Sequence, residues 1–173
     1  MLFAVTFPDY RDNEHAQRID AWRSRFSAPY ADAVRGHFTL VFGTDVLSSD
    51  GFEQQVRSVA AETSPFSVTL GVPLIWPEDS AYLLFLVPEQ GLSDCCDAHD
   101  RLYVGPLAAS LRTDLPYVPH MTIGRFDTFQ AAAEARDEVR GHLPIMGNIS
   151  TLDILDTSNG IEQVATVQLG DRA

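Results

Sequence analysis

Two short segments of this chain carry the same pair of polar residues. His37 lies two positions before Thr39, and His120 lies two positions before Thr122. Apolar residues occupy the alternate positions of both segments, a pattern typical of a strand with one buried face. Because side chains point to alternate faces along a strand, we expect the His and Thr of each pair to project from the same face.

These residue types suit a transfer between oxygen atoms at a phosphodiester. The reaction needs one group that removes a proton from the attacking hydroxyl or water, and another that protonates the leaving oxygen. Two histidines can do both, since an imidazole pKa of about 6.5 allows one ring to be neutral while the other is protonated. A nearby Thr hydroxyl can donate a hydrogen bond to a non-bridging phosphate oxygen. This scheme needs no metal.

The elements around the two motifs are predicted to form two similar halves. Asp12 or Asn13, the pair Asp50 and Glu53, and Asp127 or Thr128 are the predicted helix caps. The proline-containing segment 73–77 is predicted to lie at a sheet edge or bulge. From the N-terminus, the predicted elements are a strand over 2–7, a helix to about 26, the first motif strand over 37–43, a helix to about 62, strands over 66–72 and 81–87, helices over 92–104 and 107–112, the second motif strand over 118–125, a helix to about 140, and strands over 145–155 and 161–169.

The composition indicates one folded domain with an acidic surface. Of its 173 residues, 45% are hydrophobic and 21% are charged, which is ordinary for a globular protein. The net charge of −12 disfavours long nucleic acid as the main partner but is compatible with a small phosphorylated ligand. We find no membrane span or signal peptide pattern, and the adjacent Cys95 and Cys96 cannot close a disulfide loop. We therefore expect a cytoplasmic monomer.

Taken together, the two motifs resemble a known family. The segments HFTLVFG at 37–43 and PHMTIGRF at 119–126, with their histidines 83 positions apart, resemble the two-histidine phosphoesterases, which include 2′-5′ RNA ligase-like proteins and cyclic nucleotide phosphodiesterases. The resemblance implies an α+β fold of two antiparallel sheets that face a central cleft, with helices outside and an HxT strand in each of two intertwined lobes. It implies metal-independent and cofactor-free catalysis by His37, Thr39, His120 and Thr122. The implied substrates are 2′,3′-cyclic phosphates, 2′-5′ linkages, RNA ends or small cyclic nucleotides.

Further residues are candidates for substrate binding. Arg125 lies five positions after His120 and resembles a basic residue often found there in the family, although strict alternation places it on the opposite face unless a bulge, for example at Gly124, intervenes. The first motif is expected to have Gly43 at the near-equivalent position and no matching arginine. Aromatic side chains could stack on a nucleobase, and the candidates are Phe42, Trp76, Tyr82, Tyr117 and Phe126.

Other interpretations of the sequence lead to different functions. The run from Asp94 to Asp100 mixes possible metal ligands, but its helical pattern favours a buried stripe containing Cys96, His99 and Tyr103. The chain could be a noncatalytic nucleotide-binding module with the same cleft, or an acidic protein-interaction domain in which both motifs are structural. A serine hydrolase is disfavoured because no GxSxG segment occurs.

Overall fold

The computed structural model describes residues 1–170, which form two antiparallel sheets surrounded by helices. The elements are β1 (Leu2–Thr6), β2 (Asp9–Tyr10), α1 (Asn13–Arg25), β3 (Phe38–Thr44), α2 (Ser49–Glu62), β4 (Phe66–Pro77), β5 (Tyr82–Gln90), α3 (Leu92–Leu102), a 3₁₀ helix (Gly105–Ser110), β6 (Met121–Phe126), α4 (Phe129–Arg140), β7 (Ile145–Ile149), β8 (Thr151–Asp156) and β9 (Glu162–Gln168). The predicted α+β class is confirmed. Helices α1, α2 and α4 were predicted to have side-chain N-caps, and each has one.

The helix caps show why these helices begin where they do. The Asp12 carboxylate accepts a hydrogen bond from the His15 backbone N–H at 3.0 Å, and Thr128 caps α4 in the same way. The capping box predicted at Asp50 was wrong by two positions, because the Ser48 hydroxyl caps α2. Asp50 instead lies in the first turn, where its negative charge interacts favourably with the positive end of the helix dipole.

The order of strands places both motif strands at sheet edges. One sheet has the order β3-β1-β8-β9, and the other has the order β2-β7-β4-β5-β6. Strand β3 follows His37, and strand β6 follows His120. Each motif therefore has a hydrogen-bonded neighbour on one side and an open edge on the other.

The two halves of the sequence exchange strands, which the sequence pattern did not predict. Residues 145–155 were expected to form one strand, but the chain breaks at Ser150 into β7 and β8, which belong to different sheets. Strands β8 and β9 join the sheet of the first motif, whereas β4 and β5 join the sheet of the second motif. The two strands are separated by a single residue, and the pairing of β7 with β4 and of β8 with β1 shows the break.

The proline segment lies where β4 has a single neighbour. Strand β4 pairs with β7 over residues 66–70 and with β5 over residues 69–77. Pro73 and Pro77 therefore lie in a stretch with one free edge, where a missing N–H costs no ladder hydrogen bond. The predicted edge position of this segment is confirmed.

The main core lies between the outer faces of the sheets and the four helices. Fully buried residues of this core include Ile19 in α1, Phe52 in α2, Leu84 in β5 and Met121 in β6. A smaller cluster of Val5, Phe7 and Leu155 lies on the other face of the first sheet, which leaves the motif residues on a face outside the main core. Within residues 1–170 no helix is both long and apolar enough to span a membrane.

Candidate active site

The two motifs converge on a single cavity. Its volume is about 580 Å³, and its walls include His37, Thr39, His120 and Thr122. Thr39 pairs with Val5 and Thr122 pairs with Phe85, and paired residues share a face of the sheet. Val5 also lines this cavity and Phe85 lines an adjoining one, so each threonine lies on the cleft face of its sheet. The structure thus brings together all four residues that the sequence pattern singled out.

Each imidazole is oriented by the same local hydrogen bond. The Nδ1 atom of His37 lies 2.8 Å from the Arg35 carbonyl oxygen, and that of His120 lies 2.6 Å from the Val118 carbonyl oxygen. Because a carbonyl oxygen only accepts, Nδ1 must carry the proton in both rings. The Nε2 atom of each histidine is therefore the nitrogen that remains for proton transfer, and the two rings have equivalent orientations in their motifs.

Burial lowers the pKa of both histidines. For His37 the main cause is desolvation, with smaller contributions in the same direction from the positive charges of Arg23 and His120. For His120 desolvation is again the main cause. Hydrogen bonds to the backbone carbonyls act in the opposite direction in both cases. The influence of His120 on His37 indicates that the two rings are close enough for one protonation to affect the other.

A bulge follows the threonine in both motif strands. In β6, Thr122 pairs with Phe85 and Gly124 pairs with Leu84, so Ile123 is the extra residue. In β3 the register shifts after Thr39 in the same way, and Leu40 is the extra residue. Because each bulge adds one residue, the position five after each histidine returns to the threonine face.

The bulges make Phe42 and Arg125 equivalent positions of the two halves. Arg125 pairs with Leu83, which alternates with Phe85 and shares its face of the sheet. The expectation that Gly43 would be the counterpart of Arg125 was wrong, because the bulge puts Phe42 there. One half of the cleft thus has a cation at this position, and the other half has a half-exposed aromatic ring.

The backbone carbonyl of each threonine is held by a side chain from a distant segment. The Tyr117 hydroxyl donates to the Thr39 carbonyl at 3.0 Å, and the Arg23 guanidinium donates to the Thr122 carbonyl at 2.8 Å. Within residues 1–170, neither threonine hydroxyl makes a hydrogen bond, so both remain free to contact a ligand. Gly36, next to His37, lies against Met121, next to His120, which allows the motifs to approach closely.

A second cavity adjoins the first and has several aromatic side chains in its wall. Its volume is about 300 Å³, and it shares Phe42, His120 and Thr122 with the larger cavity. Phe85 stacks on His120 with ring centroids 3.8 Å apart, and Trp76 stacks on Phe85 at 6.2 Å. The shared wall places this aromatic space directly beside the second motif.

The predicted substrate-binding residues have different surroundings. Phe42 lines both cavities, and Tyr117 lines the smaller one while its ring stacks on His99 at 3.7 Å. Arg125 is exposed on the cleft face but does not line either cavity. Phe126 alternates with Arg125 and packs on Phe26 at the core, so its proposed contact with substrate is not retained.

Sequence reasoning missed Arg23, which lines the larger cavity from α1. A signal was present, because Ile19, Trp22, Arg23 and Phe26 follow the spacing of a buried helical stripe. It also missed Phe85, whose neighbours in sequence are apolar like those of a buried core strand. Only the register of β5 and β6 shows that Phe85 faces the cleft.

The mixed run at 94–100 lies within α3. Cys95 and His99 are buried, and His99 packs between Tyr103 and Tyr117. Across residues 1–170, no group of three or more His, Cys, Asp or Glu side chains is placed to hold a metal ion.

Comparison with known proteins identifies the family. Residues 11–161 match the 2′-5′ RNA ligase superfamily, so the chain belongs to this superfamily of two-histidine phosphoesterases. Membership supports an enzyme of the phosphoesterase class. No curated protein sequence matches the chain significantly.

Solved structures share the fold at low sequence identity. Escherichia coli LigT complexed with 3′-AMP has a TM-score of 0.64 and 17% identity, with 97% of each chain covered. LigT complexed with NADP+ has a TM-score of 0.62 and 19% identity, with 98% of each chain covered. Kluyveromyces marxianus Usb1 with uridine monophosphate has a TM-score of 0.54 and 11% identity, with 97% of this chain and 98% of the other covered. These likenesses establish the overall architecture.

Proposed function

We propose that this protein is a metal-independent phosphoesterase that acts on a cyclic phosphodiester or a 2′-5′ linkage of a small nucleotide or RNA end. The observation that carries the proposal is the convergence of His37, Thr39, His120 and Thr122 on one cavity, with both Nε2 atoms available. Nothing in this arrangement requires a cofactor.

The proposed reaction uses one histidine as base and the other as acid. For a 2′,3′-cyclic phosphate, the neutral Nε2 takes a proton from water while the water oxygen bonds to phosphorus. The protonated Nε2 of the other ring gives its proton to the ribose oxygen as its bond to phosphorus breaks, so the product is a phosphomonoester. When a 5′-hydroxyl replaces water as the attacking group, the same proton transfers form a 2′-5′ linkage.

The threonines are proposed to hold the phosphorus between the two imidazoles. Their free hydroxyls can donate to the non-bridging oxygens, whose negative charge increases in the transition state. The exposed Arg125 supplies positive charge on the same face of the sheet. These groups lie on edge strands of separate sheets, so a single phosphate contacts both halves of the molecule.

Charge and cavity shape favour a short substrate. The net charge of −12 opposes long-range attraction of a polyanion, whereas a local set of donors can still bind one phosphate. The aromatic cavity with Trp76 and Phe85 offers a stacking surface for a nucleobase beside the second motif. The LigT complexes with 3′-AMP and NADP+ and the Usb1 structure with uridine monophosphate support a substrate of this size.

The proposal is tested by turnover of defined nucleotides. Adenosine and guanosine 2′,3′-cyclic phosphates and a 2′-5′-linked adenosine dinucleotide are incubated with the protein in excess EDTA, and products are separated by chromatography. Either His37→Ala or His120→Ala is expected to lower kcat by about 10²- to 10⁴-fold, the usual contribution of general acid–base catalysis. His142→Ala, at an exposed position near Trp22 and outside both cavities, is the matched control.

The same experiment separates the alternatives. Calorimetric binding of 3′-AMP without turnover of any substrate would identify a noncatalytic nucleotide-binding module. Neither binding nor turnover would favour the acidic protein-interaction domain. Turnover that persists unchanged in the double variant of His37 and His120 would refute the two-histidine mechanism.

A further inference from the structure

Arg23 is a charged residue in an environment that usually excludes charge. It is 3% exposed and lies on the buried face of α1, next to Trp22. Its guanidinium donates to two neutral acceptors, the carbonyl oxygens of Val34 at 2.7 Å and Thr122 at 2.8 Å. Within residues 1–170, no carboxylate oxygen lies within 4.0 Å of it.

Burial of an arginine without an ionised partner needs a compensating interaction. Taking a charge out of water costs several kcal/mol unless it is paired, and arginine does not escape the cost by losing its proton. Burial does lower the pKa of Arg23, while the acidic groups of Tyr10 and Asp20 raise it. Two carbonyl dipoles satisfy some of the N–H groups but do not neutralise the charge. An anion in the adjoining cavity would do so.

The position of Arg23 connects it with both motifs. Val34 precedes His37 by three positions, and Thr122 belongs to the second motif. The same guanidinium therefore joins the loop that leads into the first motif to the strand of the second. It also lines the cavity that all four motif residues share.

We propose that Arg23 is a positioning residue that holds the two HxT motifs in register and places a fixed positive charge at the wall of their shared cavity, where it favours bound phosphate. The proposal rests on the proposed function for its catalytic consequence, but phosphate binding can be measured without turnover. It goes beyond the two motifs because it assigns a role to a residue of α1.

Tyr117 provides an internal comparison. It holds the Thr39 carbonyl as Arg23 holds the Thr122 carbonyl, but its hydroxyl is neutral. The two halves thus have equivalent hydrogen bonds and unequal charge. Loss of the Tyr117 hydrogen bond should alter positioning alone, whereas loss of Arg23 should alter positioning and phosphate affinity together.

The charge of Arg23 also acts on His37. The groups that influence the His37 imidazole are Arg23 from α1, the ring of His120 and the carbonyl of Arg35, and the Phe7 ring packs against its edge at 5.9 Å. The cation lowers the pKa of His37, so its removal should raise that pKa. If His37 acts as the base, the acidic limb of the kcat/KM profile then moves to higher pH.

The test compares variants that separate charge from hydrogen bonding. Arg23→Gln keeps a hydrogen-bond donor without the charge, Arg23→Lys keeps the charge, and Tyr117→Phe removes the neutral contact. Arg25→Gln is the matched control on the same helix, because Arg25 is exposed and pairs with Glu138 on the surface. For each folded variant, calorimetry measures the affinity for inorganic phosphate, and kcat, KM and their pH dependence are measured on the best cyclic nucleotide.

Arg23→Gln is expected to weaken phosphate binding by about tenfold or more, the usual value of a charge-assisted hydrogen bond. It should also move the acidic limb of the kcat/KM profile to higher pH. Arg23→Lys should retain most of the phosphate affinity but have a lower kcat. Tyr117→Phe should lower kcat without changing phosphate affinity. Arg25→Gln should match the natural protein in all measurements.

Several results would overturn the proposal. Unchanged phosphate affinity in a folded Arg23→Gln variant would mean that Arg23 only stabilises the fold. If that variant does not fold, tenfold weaker phosphate binding by folded Arg23→Lys would refute the proposed role of the charge, as would the absence of phosphate binding by the natural protein. Phosphate binding that depends on Arg23, without turnover of any substrate, would contradict the proposed function and leave this inference standing.

Discussion

Gly36 sets the closest approach of the two motifs, so adding one methyl group there should impair the site. The glycine directly precedes His37, and a Cβ built on it would lie 2.8 Å from Sδ of Met121 and 3.0 Å from Cγ2 of Ile19. Ordinary contacts begin near 3.4 Å, so Met121 or the backbone must move by about 0.6 Å in Gly36→Ala. Met121 and Ile19 are fully buried, which leaves little room for that movement.

The expected effects follow from this overlap. Overpacking of a core costs about 1–3 kcal/mol in the free energy of unfolding, which lowers Tm by about 2–4 °C per kcal/mol in a protein of this size. A displacement approaching 1 Å between reacting groups can cost about a hundredfold in rate. We therefore expect Gly36→Ala to lower kcat by about tenfold to a hundredfold with a modest fall in Tm.

Thermal unfolding and steady-state kinetics with a 2′,3′-cyclic nucleotide measure both effects. Gly141→Ala is the matched control, since its added Cβ would come no closer than 3.4 Å to the Glu138 carbonyl. Shortening the opposing side chain in the double variant Gly36→Ala with Met121→Val should restore part of the lost kcat. Full activity of Gly36→Ala, or no recovery in the double variant despite a normal fold, would refute the reasoning.

Three further predictions concern the charged and aromatic groups of the cleft. Because the pKa values of His37 and His120 are both lowered, both limbs of the kcat/KM profile should shift toward acid, with a maximum below about pH 6.5; a maximum above pH 7.5 would contradict this. Phe85→Leu removes the ring that stacks on His120, so we expect the pKa of His120 to rise in an NMR titration and kcat/KM to fall up to about tenfold; an unchanged titration would show that the ring does not desolvate His120. Arg125→Met should raise KM by about tenfold while the free energy of unfolding stays within about 0.5 kcal/mol of the natural protein; an unchanged KM would assign Arg125 to the solvated surface.

Local sequence rules predicted the parts of the site that depend on neighbouring residues. Alternation placed His37 with Thr39, and His120 with Thr122, on common strand faces. Turn and capping residues located most helix and strand boundaries within a few positions, because these signals depend on backbone groups close in sequence. The paired motifs also identified the family, since their spacing and context are properties of the chain itself.

Only the tertiary structure decided how these parts meet. The break at Ser150 assigns β7 and β8 to different sheets, and this depends on pairing with strands far away in sequence. The bulges after Thr39 and Thr122 determine that Phe42 and Arg125 occupy equivalent positions, because a register shift is visible only against the partner strand. The helical spacing of Arg23 indicates a buried position, but only the packing of α1 against the second motif shows that its guanidinium reaches the Thr122 carbonyl. The groups that surround a buried side chain come from segments far away in sequence, and no local pattern contains that information.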